Sequence, residues 1–172
     1  MFGCGGVFLL LILGVGISVA IMPYPWHASC SLKWRVAEPC EQFKIKMINQ
    51  IRDWEGDALC PGTSSTCPAL PCGQRCLYDF VSVNGNEIKA THTTPVARYI
   101  DDLTFKLTSS GGACIVDANS NSRLWYAVLD KGTNYCNLRN LVDGAGYTET
   151  SLTEETNDGI CTQYTSRDCS RF

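Results

Sequence analysis

Few side chains in these 172 residues have the chemistry to catalyse at neutral pH, and only two are histidines, His27 and His92. His92 could act as a general base, with Asp101 or Asp102 to orient it and Ser82 or Thr94 as nucleophile. No glycine elbow frames any of the serines, however, and a lone strand histidine is more often a hydrogen-bonded structural residue. The carboxylates Asp101, Asp102, Asp117 and Asp130 fall at predicted strand ends. There they could gather round a calcium ion or work as acid and base, but strand ends are also where acids ordinarily meet water. The chain has no Gly-rich phosphate loop, HExxH, EF-hand loop or redox CxxC. No catalytic residue, cofactor or metal is therefore expected.

The eleven cysteines are the strongest compositional signal. They imply either disulfides in an oxidising compartment or metal ligands in a reducing one. Residues 2–22 favour the first: they are almost wholly apolar, and Ser18-Val19-Ala20 puts small residues where a signal peptidase needs them. Residues 1–20 are expected to be a signal peptide cut after Ala20, with an uncut signal-anchor as the alternative, since about twenty apolar residues can span a bilayer. Cys4 is then either discarded or placed beside the anchor as a palmitoylation site. The other ten cysteines allow up to five bridges, with the pairing open. Gaps of 6, 4 and 3 between Cys60, Cys67, Cys72 and Cys76, with prolines among them, do not suit a zinc site. With a formal charge of -3 and no Lys/Arg run, nucleic acid is not an expected partner.

Residues 21–172 read as one domain. Residues 21–37, with Pro23, Pro25, Trp26 and Trp34, form a lead-in that Cys30 can tether. Residues 39–55 predict an amphipathic helix: Pro39 opens it, Cys40, Phe43, Met47, Ile51 and Trp54 share one face, Gly56 stops it, and Lys44, Gln50 and Asp53 are left to water. Residues 76–130 predict about five antiparallel strands. Asn84-Gly85 turns between residues 77–83 and 87–93, and Leu103, Phe105 and Leu107 alternate with Thr104 and Lys106. After a turn near residues 109–112, residues 113–118 return, and residues 124–129 (LWYAVL) read as a central strand covered on both faces. A short helix near residues 135–142, which Cys136 could pin, leads to an acidic tail. There Ser151 and Glu154 are spaced as a weak capping box, and Cys161 and Cys169 fasten the end.

A helix followed by an antiparallel meander resembles the order of cystatin-like folds, though without their inhibitor wedge. Residues 129–135 (LDKGTNY) resemble the strand-to-turn stretch of lipocalins, small barrels that carry apolar ligands. Neither resemblance assigns a family. The expected fold is α+β and disulfide-rich, with the helix packed on a twisted sheet. The expected function is binding, with a small apolar, lipid-like ligand held in a curled sheet by Leu103, Phe105, Leu107, Tyr126 and Val128. The alternative is an extracellular protein–protein factor (ligand, inhibitor or defence protein) whose loops engage the partner, and a hydrolase built on His92 is third. A membrane is a partner only if the N-terminal segment stays as an anchor.

Overall fold

A computed structural model describes residues 23–60 and 74–171. The architecture is α+β, with two α-helices packed on one face of a six-stranded antiparallel sheet. In chain order the elements are β1 (Ser29–Val36), α1 (Cys40–Asp53), β2 (Tyr78–Asn84), β3 (Glu87–Thr93), β4 (Ile100–Ser110), β5 (Ala113–Ser122), α2 (Thr133–Gly144) and β6 (Leu152–Glu154). The sheet order is β2-β3-β4-β5-β1-β6. The β2–β3 hairpin turns at Gly85-Asn86, one residue later than expected, because Asn84 pairs with Glu87 and leaves the positive φ (55°) to Gly85. The β4–β5 hairpin puts Gly111 and Gly112 at φ 58° and 81°, a two-residue turn that glycine enters without steric cost.

The expected strand at residues 124–129 does not form, and the supposed lead-in supplies a strand instead. β1, SCSLKWRV, buries Cys30, Leu32, Trp34 and Val36 and exposes Ser31, Lys33 and Arg35. That strict alternation suits a sheet with one wet face. β1 pairs with the free edge of β5 through all eight residues, from Ser29↔Asn121 to Val36↔Cys114. With β4 on its other side, β5 has no edge left for residues 124–129. They form a loop closed by Ala127 N–H to the Leu124 carbonyl (2.8 Å). β6 replaces the helix start suggested by Ser151 and Glu154: it pairs with β1, and Glu154 accepts a hydrogen bond from Trp34 Nε1 (2.6 Å).

Phe43, Met47 and Ile51 of α1 and Leu138, Leu141 and Val142 of α2 meet Trp34, Ile88, Leu103, Phe105, Leu107 and Val116 from the sheet. Gln50, expected in water, is buried. It lies by Gly144, where a Cβ would sit 2.6 Å from the Trp54 ring, so only glycine admits this approach of α2 to α1. The opposite face of the sheet is wet. Across it Glu87, Lys106, Asp117 and Lys33 stand in one row, joined by Lys106–Glu87 (3.7 Å) and Lys33–Asp117 (3.2 Å) ion pairs.

Four disulfides link described residues. Cys30–Cys161 and Cys136–Cys169 bring the tail to β1 and α2, Cys40–Cys114 ties α1 to β5, and Cys60–Cys76 links the stretch after α1 to the residues just before β2. Cys4, Cys67, Cys72 and the expected signal segment lie outside the described residues. The LDKGTNY stretch is loop and first turn of α2, beside an open sheet rather than within a barrel.

Candidate functional site

At one end of the sheet the helix-facing surface changes character. Register lines up Tyr78, His92, Asp101 and Ser122 across β2, β3, β4 and β5. The next row inward from Asp101 and Ser122 is Leu103 and Ser120. Above these strands lies the N-terminal half of α2, which turns Asn134 and Asn137 down onto the sheet.

The polar groups form a continuous chain. Asn137 Nδ2 donates to Asp101 Oδ2 (2.8 Å) and to Ser120 Oγ (3.2 Å). Ser120 Oγ donates to Asn134 Oδ1 (2.6 Å), and Asn134 Nδ2 donates to Asp130 Oδ2 (2.7 Å). Asp130 also caps α2, accepting from the Gly132 (2.9 Å) and Asn134 (3.0 Å) amides, which would otherwise lack partners at the helix start. Tyr78 OH donates to the Asn137 carbonyl (3.0 Å), and its ring lies 4.5 Å from that of His92.

Burial dominates the electrostatics. It raises the Asp101 carboxyl above the usual carboxylate range, against the opposing bonds from Asn137 and Ser122, and raises Asp130 against its capping bonds. Burial also holds the Tyr78 phenol in its neutral form and pushes His92 down to about 4, outweighing the Gln74 backbone. Neither His92 ring nitrogen makes a hydrogen bond of normal geometry to the protein.

The polar row opens into a cleft of about 760 Å³. Asp101, Ser122, Thr133 and Asn134 line its polar part, whereas Pro95, Val96, Tyr99, Leu124, Tyr126, Val128 and Leu129 are apolar lining. The apolar walls are two loops. Residues 94–99 are closed by Thr94 N–H to the Tyr99 carbonyl (2.9 Å) and by Tyr99 N–H to Thr94 Oγ1 (2.9 Å). Residues 124–129 are anchored by Ala28 N–H to the Ala127 carbonyl (2.8 Å) and by His27 Nε2–H to the Leu124 carbonyl (3.1 Å).

The five residues expected to line a ligand site are divided by this geometry. Tyr126 and Val128 line the cleft. Leu103, Phe105 and Leu107 are buried in the core beneath the helices, Phe105 stacked 6.3 Å from Trp34. The four candidate carboxylates divide as well. Asp101 and Asp130 share the cleft, while Asp102 forms a two-pronged pair with Arg123 and Asp117 pairs with Lys33 on the wet face. Asn134, Asn137, Ser120 and Ser122 were not anticipated. The available signal was Asn134, Asn137 and Asn140 at helical spacing within an otherwise core-facing helix. Among the described residues no three His, Cys, Asp or Glu side chains converge as metal ligands.

Residues 67–144 match the model of a family described as protein of unknown function, DUF1499. The matched stretch is under half of the chain. It includes β2 to β5, both cleft loops and α2, hence Tyr78, His92, Asp101 and the asparagines together. No curated protein and no solved structure matches the chain.

Proposed function

We propose that this protein is a binding module of an oxidising, extracytoplasmic compartment, and that its cleft takes a small, mostly apolar ligand with a hydrogen-bond-donating head. The observation that carries the reading is Asp101, only 4% exposed, at the polar end of a cleft whose two loop walls, residues 95–99 and 124–129, are aliphatic and aromatic. A cleft of about 760 Å³ suits a ligand of lipid-chain size, and mostly apolar walls with few convergent polar groups are the usual make-up of such sites. The head follows from the acids. Asp101 and Asp130 both lie at the polar end, so the donor of a hydroxyl or an amine finds acceptor oxygens there, whereas a carboxylate has no proton to give them. His92 is fully buried and does not line the cleft, which supports binding over hydrolysis. The four disulfides are in keeping with the compartment.

The test has two arms. Organic extraction of the purified protein followed by mass spectrometry should release an amphiphilic alcohol or amine. Titration with dodecanol, dodecylamine and laurate at neutral pH should change the emission of Trp125, whose ring packs edge-on against Tyr126 at 5.3 Å, saturably for the first two and far more weakly for laurate. Asp101→Asn should weaken dodecylamine more than dodecanol. An empty extract together with flat titrations would overturn the reading in favour of a protein partner.

A further inference from the structure

The cleft mouth carries an unusual amount of exposed aromatic and aliphatic surface. Val96 is 96% exposed and Tyr99 52% on one loop, and Trp125 is 84%, Tyr126 63% and Leu129 55% on the other. Trp26, 98% exposed, is next to His27, whose ring bonds the Leu124 carbonyl and so fixes this segment to the second loop. Five apolar side chains on two neighbouring loops, with a second tryptophan tied to them, are more than the scattered surface hydrophobes of an ordinary soluble domain.

Two further observations indicate what covers this surface. In sequence the apolar stretch of residues 2–22 ends just before Pro23, close to Trp26 and the cleft-lining Ala28, so under the signal-anchor alternative the tether to the membrane leaves the domain at this same end. A basic side chain stands at the rim as well: Arg98 lies on the first loop between Val96 and Tyr99. The single acid of residues 94–99 and 124–131, Asp130, is turned inward onto the α2 amides. Tryptophan and tyrosine with flanking basic residues are the side chains that settle at the headgroup level of a bilayer.

We infer that Trp26 and the loops of residues 94–99 and 124–129 rest in the interface of a phospholipid bilayer, with the cleft mouth facing the lipid. Trp125 and Tyr126 enter with their rings, and Arg98 remains at the phosphates. This docking stands whether or not the cleft takes a ligand.

The test uses the full chain in phosphatidylcholine vesicles whose acyl chains carry bromine, a contact quencher of tryptophan. Residues 2–22 contain no tryptophan, Trp34 is buried and Trp54 half-buried, so Trp26 and Trp125 are the reporters. Trp26 follows the apolar segment too closely to discriminate, so the decisive protein is Trp26→Phe. Its emission should be quenched by brominated relative to plain vesicles, and Trp26→Phe/Trp125→Phe should lose that quenching. Saturating dodecanol, which fills the cleft under the ligand reading, should leave the quenching in place. No quenching in Trp26→Phe, equal quenching in the double variant, or relief by dodecanol would each overturn bilayer docking, while the ligand reading fails separately on its own titrations. Both tryptophans are exposed, so the variants keep the native circular dichroism.

Discussion

The helix-facing surface of the sheet has two regions that differ in what fills them. In the middle, Trp34, Ile88, Leu103, Phe105 and Val116 meet the apolar faces of α1 and α2 in one hydrophobic cluster. A few residues along the same strands, Tyr78, His92, Asp101, Ser120, Asn134 and Asn137 are equally buried and mostly hydrogen-bonded to one another. Both regions exclude water, but only the first gains stability simply by doing so. Each buried polar group must recover its lost hydration through a bond of good geometry, and the net gain is modest even when it does. His92 recovers least of all, since neither ring nitrogen makes a hydrogen bond of normal geometry. A fold that needed only a core would gain by continuing the leucines, so the polar end is where stability has been given up, and it is the end that opens into the cleft.

The largest effect expected from this contrast belongs to the middle. Phe105→Ala removes a fully buried ring stacked on Trp34 and should lower unfolding stability by about 3–5 kcal/mol in urea titrations with disulfides intact. A loss under about 1 kcal/mol would mean that the middle is not the packed region described. Next comes pH dependence, confined to the polar end. His92 falls from an ordinary 6.5 to about 4 on folding, so between those values the unfolded chain binds more protons. Its contribution is intact above about pH 6.5 and is lost as the pH falls toward 4, an effect of about 3 kcal/mol that His92→Phe should abolish. Asp101 acts in the opposite sense. Its raised value means that the folded state holds the proton longer, so its penalty sets in as pH rises from 3.8 through the folded value and then stays constant. Asp101→Asn should remove that second, opposing slope. A stability profile that neither substitution alters would show that the two side chains are not desolvated.

The middle region was largely legible in the sequence, and the polar end was not. Cys40, Phe43, Met47 and Ile51 lie on one helical face, and α1 forms with that face inward. The alternation of Leu103, Phe105 and Leu107 likewise marks the buried side of β4, although it says nothing of whether helices or a ligand cover it. β1 escaped notice because Pro23 and Pro25 made its neighbourhood read as a lead-in, even though SCSLKWRV alternates strictly. Residues 124–129 misled in the other direction. A run apolar on both faces suits a central strand, but it equally suits loops that line a cleft and project from it, and only the competition for the edge of β5 decides between them. His92 and Asp101 are nine residues apart in sequence and become direct neighbours through the β3–β4 register alone. Asn137 joins them by a helix packed across the sheet, and the cysteine pairing is likewise a property of the three-dimensional fold.

A smaller effect tests whether the polar chain works as a unit. Asn137→Ala deprives Asp101 of its 2.8 Å donor and should cost about 1–3 kcal/mol, the range for leaving a buried acceptor unpaired. Because the Asn137 bond is the first of the influences that hold the Asp101 carboxyl down, its removal should also push that carboxyl further up, moving the Asp101 slope to higher pH. Carbon-13 NMR of the Asp101 carboxyl would report this directly, and an unmoved titration would mean that the bond does not form in solution.

The smallest expected effect on stability comes from the cleft wall, and it separates the two regions most sharply. Leu129 is 55% exposed although it lines the cleft, so Leu129→Ser removes little that folding had buried and should alter stability by no more than about 0.5 kcal/mol. A ligand seated against that side chain would bury what the fold leaves open. Losing the contact should then weaken dodecanol by about 1 kcal/mol, roughly fivefold in dissociation constant. Phe105→Ala should show the reverse, a large loss of stability with dodecanol affinity unchanged wherever the variant remains folded. If Leu129→Ser destabilised the fold as much as it weakened binding, the loop would be part of the core and the cleft an incidental gap. If it left dodecanol binding unchanged, the ligand would lie elsewhere, and the exposed rim would have only the bilayer to account for it.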